Sequence, residues 1–190
     1  MSRLTLLLIP LLFFMTSCTI DWNDEKDVNT PVSHSTAVDT KIFTWSNYTF
    51  VYPATASSID TSGVMWTTFL AYLESNSTNQ GFNNNVNLLL QKSTPETDNL
   101  QAFKKLSEDQ VKQLITGWNL IKSTIEKDSR WESYIFMHYT WKLWVYNLEW
   151  HQRTYYKNNI FYVLTLTEAI GSTGSTNNDT LLDGLSFHIK

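Results

Sequence analysis

The chain has 190 residues and a mass of 22.1 kDa, one domain's worth, and its 42% hydrophobic residues suffice for a buried core. Only 17% of residues are charged while 14% are aromatic, which excludes wholesale disorder. A net charge of −4 lacks the basic field that nucleic-acid phosphates require, and a single cysteine excludes both a disulfide framework and a cysteine-cluster metal site.

Arg3 is the lone positive charge ahead of an apolar run from Leu4 to Met15, broken only by Thr5 and Pro10. At about 12 residues this run is shorter than the roughly 20 needed to span a bilayer and matches the apolar region of a secretory signal. The segment Met15-Thr16-Ser17-Cys18 resembles the lipobox of bacterial lipoproteins. That resemblance implies cleavage between Ser17 and Cys18 and transfer of a diacylglyceryl group to the Cys18 thiol. Two or more acyl chains make membrane attachment stable rather than marginal. Residues 1–17 are therefore expected to be a signal peptide, and residues 18–40 a lipidated cysteine with a flexible acidic tether.

Four of the 18 acidic residues fall within Asp21–Asp27. As a flexible coil, residues 19–40 reach about 26 Å. The acidic cluster resembles the surface-export signals that some bacterial lipoproteins carry just after the modified cysteine. Thr19, in place of Asp directly after Cys18, agrees with outer-membrane retention. The expected location is the cell envelope, lipid-anchored at the outer membrane, on its periplasmic face or at the cell surface. Beyond residue 40 there are 12 Lys and Arg against 13 Asp and Glu, so the folded part is nearly neutral at −1.

Residues 41–190 are expected to form one domain. Asn47 to Tyr52 alternates, with Tyr48, Phe50 and Tyr52 on one face, and Pro53 ends the strand by withholding a ladder donor. Met65 to Leu73 is a second strand, Asn76 to Gly81 a turn, and Asn84 to Lys92 the returning strand. Asp98 to Thr116 has helical spacing, with Leu100, Phe103, Leu106, Val111, Leu114 and Ile115 on one face and Ser107 as a point of interruption. Asp98 reads as its cap and Gly117 as its stop.

Four more strands follow: Trp118 to Glu126, Ser133 to Trp141, Leu143 to Tyr156 and Ile160 to Thr167. In the third, Trp144, Tyr146, Leu148, Trp150 and Tyr156 share one face, and Asn147, Glu149, His151 and Arg153 the other. A Gly/Ser/Thr/Asn loop at residues 171–178, a short helix near Thr180–Gly184 and a strand from Leu185 to Ile189 complete the chain. Consecutive strands around one internal helix define an α+β fold with a mostly antiparallel sheet.

The order of elements carries short motifs: Tyr48-Thr49-Phe50-Val51-Tyr52-Pro53, then Asn85-Val86-Asn87-Leu88, a Leu-bearing helix, Tyr162-Val163-Leu164-Thr165, and a terminal Ser186-Phe187. In this the domain resembles the PsbP-like group, which includes the DcrB-type bacterial lipoproteins. The Gly usual in the turn before the central strand pair is missing around Lys127–Glu132. The resemblance implies an α-β-α sandwich, a central antiparallel sheet packed by helices. It implies no single activity, since relatives serve as assembly factors and as binding proteins.

Candidate chemistry is sparse. Glu149, His151 and Arg153 share a strand face, where a carboxylate orienting an imidazole would make a general base or a metal ligand, against the simpler reading of a solvated or covered charged face. His138 and His188 sit among apolar residues, as hydrogen-bonded core or rim histidines do. No HExxH, CxxC, GxSxG, P-loop or GxGxxG is present. Aromatics crowd residues 131–156, and Tyr139 and Trp141 are expected to be their exposed remainder. The expectation is a non-catalytic protein without cofactor or metal that binds or organises other envelope components. The surface would include Tyr139, Trp141, Glu149, His151 and Arg153, and its partner would be an envelope protein. The alternative is a lipoprotein that binds a glycan or small ligand through its Trp/Tyr-rich strands.

Overall fold

The computed structural model describes residues 40–44, 48–59, 61, 67–73, 82–170 and 187–189. The expected signal peptide, Cys18, the expected tether up to residue 39, the turn expected at Asn76–Gly81 and the short helix expected near Thr180–Gly184 lie outside them. No helix among the described residues is long and apolar enough to cross a membrane.

The described residues form ten strands and one α-helix, in chain order β1 (Thr40–Thr44), β2 (Tyr48–Pro53), β3 (Ser57–Ile59), β4 (Thr67–Tyr72), β5 (Asn85–Lys92), α1 (Leu100–Leu114), β6 (Asn119–Lys127), β7 (Ser133–Leu143), β8 (Tyr146–Lys157), β9 (Ile160–Ala169) and β10 (Phe187–Ile189). They form a three-stranded sheet, ordered β1-β2-β10, and a seven-stranded sheet, ordered β3-β4-β5-β9-β8-β7-β6. Every paired strand is antiparallel. The expected α+β fold with an antiparallel sheet is what the chain adopts.

The middle of the large sheet is covered on both faces, and β9, buried along nearly its whole length, accordingly lacks a polar face. On one face the alternation of β2 directs Tyr48, Phe50 and Tyr52 inward, where they meet Phe69, Leu88 and Tyr162. Phe50 and Tyr52 each lie about one ring's reach from Phe69, with centroids 5.0 and 4.9 Å away. On the other face α1 supplies Phe103 and Val111, joined by Ile115, against Met137, Phe161 and Val163. Phe103 stacks on Phe161 with centroids 4.0 Å apart. Among the described residues, then, one cover of the sheet is a helix and the other is the small sheet.

Helix α1 follows a 3-10 turn at Pro95–Thr97 and begins one residue later than its sequence suggests. Asn99, not Asp98, is the cap: its side-chain oxygen accepts from the Ala102 N–H at 2.9 Å, while Asp98 accepts from the Asn99 amide at 2.7 Å. Ser107 does not interrupt it, and two ion pairs spaced four residues apart brace it, Lys104–Glu108 partly buried and Lys105–Asp109 exposed. Leu114, expected inward, is exposed, because the chain turns to extended backbone at Ile115 and swings back through Gly117 at φ 78°.

Two-residue turns set the registers that matter below. Asn158 and Asn159 both adopt left-handed backbone (φ 53° and 59°) between β8 and β9, the geometry of a tight hairpin and one Asn tolerates. Between β7 and β8 the turn is Trp144–Val145, with Trp144 at φ 49°. The expected single strand from Leu143 to Tyr156 is thus corrected: Trp144 leaves the face it was assigned with Tyr146 and Leu148 and points to solvent. The loop lacking the usual Gly, at residues 128–132, is closed by Asp128. Its carboxylate accepts from the N–H groups of Arg130 (2.9 Å) and Glu132 (3.0 Å), and Trp131 takes the left-handed position at φ 65°.

Candidate functional site

Register brings together what lies far apart in sequence. Counting inward from Trp144–Val145, His138 on β7 falls opposite His151 on β8, and Thr140 opposite Glu149. Counting inward from Asn158–Asn159, Glu149 falls opposite Glu168 on β9. Alternation sends His138, Glu149, His151 and Glu168 to the face of the large sheet that also carries Leu164 and Leu166.

Glu149 is the hub. Its Oε1 lies 2.5 Å from His138 Nε2 and 3.2 Å from His151 Nε2. The two imidazoles stack at 4.1 Å with 23° between their planes. The three ligand atoms lie within 4.8 Å of one another. His151 is buried, and His138 and Glu149 are partly so. Glu168 is 5% exposed, and its Oε2 has no hydrogen-bond partner among the described residues. Burial pushes its carboxyl up to about 7, and the neighbouring Glu149 charge adds to the rise.

Arg153, two residues along the same face, is buried and belongs to a different set of contacts. Its guanidinium lies 5.2 Å from the Tyr134 ring centroid, a cation–π contact. The Tyr134 hydroxyl donates to Glu126 Oε2 at 3.1 Å, and Glu126 also pairs with Lys122 at 2.7 Å. Burial raises the Tyr134 hydroxyl to about 12, against the opposing pull of Arg153.

Of the five residues expected to form a working surface, two lie on the opposite face of the sheet. Tyr139 is 1% exposed and stacks on Trp150 at 5.2 Å. Its hydroxyl has no hydrogen-bond partner among the described residues, and burial pushes its pKa up. Trp141 is partly buried, stacks on Trp150 at 5.5 Å and donates its indole N–H to the Thr116 carbonyl at 3.1 Å. The expectation that these two are the exposed aromatics is corrected for Tyr139, and Trp141 is only partly accessible, because the middle strands of the sheet are covered on both sides. His151 and Arg153 are buried as well, so neither makes the solvated surface expected of it. Of the five, Trp141 and Glu149 keep partial access.

The aromatics that do reach solvent sit in turns. Trp144 is 69% exposed and Val145 is 80% exposed, while Trp131, at the other end of the sheet, is 77% exposed under the ammonium of Lys127. Ile170 N–H donates to the Asn147 carbonyl at 2.7 Å, placing exposed Ile170 beside the Trp144–Val145 tip. His138 and Glu168 were missed as partners of Glu149 in the sequence. The usable signal was the length of each hairpin turn, which sets both cross-strand pairings.

Fold and site together define an α+β domain with a two-histidine, one-carboxylate cluster on its central sheet. No protein-family model matches the chain, and no curated protein does. The solved structures do contain its architecture. The solution structure of the cyanobacterial PsbP protein CyanoP from Synechocystis sp. PCC 6803 matches with a TM-score of 0.54 at 14% identity, covering 85% of this chain and 98% of that one. The domain is therefore PsbP-like in fold. A protein of unknown function from Pseudomonas aeruginosa gives a TM-score of 0.46 at 9% identity, over 69% of this chain and 83% of that one. A Bacteroides thetaiotaomicron protein gives 0.49 at 11%, over 75% of this chain and 45% of that one.

Proposed function

We propose that the chain is a lipid-anchored, non-catalytic protein of the cell envelope whose PsbP-like domain binds or organises other envelope components. Cys18, the only cysteine in the chain, carries the lipid, and residues 19–40 hold the domain off the membrane. The observation that carries the binding half of this reading is the β7–β8 tip. Trp144 and Val145 project an apolar surface into solvent, Ile170 extends it, and the backbone of Trp144 is held in a conformation that bulky side chains rarely adopt. Strain at an exposed Trp is costly to the fold alone. Tryptophan is also the residue most enriched at the energetic centres of protein interfaces.

The test has two arms. Cys18→Ala moves the protein from the membrane fraction to the soluble fraction while its circular dichroism is unchanged; retention on the membrane would remove the anchor from the account. A photo-crosslinking residue placed at exposed position 145, beside an intact Trp144, yields a discrete protein adduct in intact cells, and one placed at exposed Lys105 does not. Absence of any adduct, with saturable binding in a glycan screen, would replace the protein partner with a carbohydrate.

A further inference from the structure

We propose that His138, Glu149 and His151, with Glu168 beside them, form a binding site for one divalent transition cation of the zinc class. The proposal is independent of the lipid anchor and of the Trp144 tip, because it rests on the geometry of three adjacent central strands.

Three observations converge. The first is the donor set. Two imidazole Nε2 atoms meet at one carboxylate oxygen, and all three atoms lie within 4.8 Å of one another. A tetrahedral zinc ion with bonds of about 2.0–2.1 Å places its ligand atoms roughly 3.3 Å apart. The Glu149–His151 separation of 3.2 Å already has that value, and the Glu149–His138 separation of 2.5 Å must open by less than an ångström. On loading, each neutral imidazole presents its Nε2 lone pair to the cation and carries its proton on Nδ1. Nitrogen donors select zinc, copper, nickel or cobalt over magnesium and calcium, which demand oxygen.

The second observation is Glu168. Buried polar atoms are almost always satisfied, yet this carboxylate is 5% exposed with Oε2 lacking any hydrogen-bond partner among the described residues. It also lies in register with a second carboxylate, Glu149, and like groups directly opposite on a sheet destabilise it. A dication beside them offsets the negative charge that the two carboxyl groups share.

The third is rigidity. The ligands stand on β7 and β8, joined by a two-residue turn, and Glu168 on β9, and all three strands have a paired neighbour on either side. Ligands held on interior strands keep their spacing without paying for loop ordering. Arg153 faces Tyr134 and does not occupy the site.

The experiment uses the full chain, purified in detergent and stripped with a chelator, titrated calorimetrically with zinc chloride and, separately, with magnesium chloride. One equivalent of zinc binds and magnesium does not. Affinity for zinc falls by about 100-fold or more in His138→Gln and Glu149→Gln and by roughly 10-fold in Glu168→Gln, which removes only the neighbouring charge. Zinc raises the melting temperature of the wild type and not of His138→Gln. X-ray absorption of the loaded wild type shows two imidazole nitrogens in a shell of nitrogen and oxygen, which holds the proposal to account even where a variant fails to fold. No saturable zinc uptake, wild-type affinity in folded His138→Gln, or a first shell without imidazole would each overturn it.

Discussion

Asp128 shows how one side chain replaces a missing glycine. Its carboxylate caps two backbone N–H groups and receives the Arg130 guanidinium at 2.9 Å, so that the loop closes with Trp131 in the left-handed position. Burial on its own would raise the Asp128 carboxyl. The Arg130 guanidinium and the two N–H donors outweigh burial and hold it below its ordinary value. A group depressed on folding contributes stability above its unfolded value, near 3.8, and that contribution is lost as pH falls through the lower folded value. Asp128→Ala is therefore expected to cost about 1–2 kcal/mol at pH 7 in urea denaturation. The gap between variant and wild type should narrow as pH falls through the folded value of Asp128; a gap that persists in full in acid would mean the carboxylate charge is not what closes the loop. Trp144 is the converse case, since its side chain opposes its backbone. Trp144→Asn places a residue at φ 49° that accepts it, and should raise stability by about 0.5–1 kcal/mol while abolishing crosslinks at the tip. A loss of stability would show that Trp144 packs on the fold and does not serve an interface.

At the scale of elements, α1 is held by two side chains more than by its whole predicted stripe. Phe103 and Val111 are buried, and Phe103 stacks on Phe161, whereas Leu114 of the same stripe is exposed. Phe103→Ala should cost about 3–4 kcal/mol and Leu114→Ala less than about 1 kcal/mol, read from denaturation midpoints. Similar losses for both would place the helix differently on the sheet. Elements with a clean period were legible in the chain. Tyr48, Phe50 and Tyr52 alternate into the core as expected, and β5 and β9 fall where Asn84–Lys92 and Ile160–Thr167 were read. The β7–β8 turn was not legible, because Trp and Val carry none of the chemistry that marks a turn, and a strand drawn through them hides the pairing of His138 with His151. Tyr139 and Trp141 misled for a related reason: parity tells two faces apart but cannot say that both are covered.

For the whole molecule, the candidate site is a product of topology. Glu149 and His151 are two residues apart, but His138 and Glu168 reach them only after two hairpins have closed in the right register. A slip of one residue in either hairpin would turn the cluster to the opposite face. The same dependence on distant partners governs β2. Its edge is completed by β10, with Phe50 opposite Phe187 and Tyr48 opposite Ile189. Residues 48–50 thus wait for residues that leave the ribosome more than a hundred positions later. A polypeptide whose smaller layer pairs its first strands with one this distant cannot complete that layer until the residues of β10 have been made.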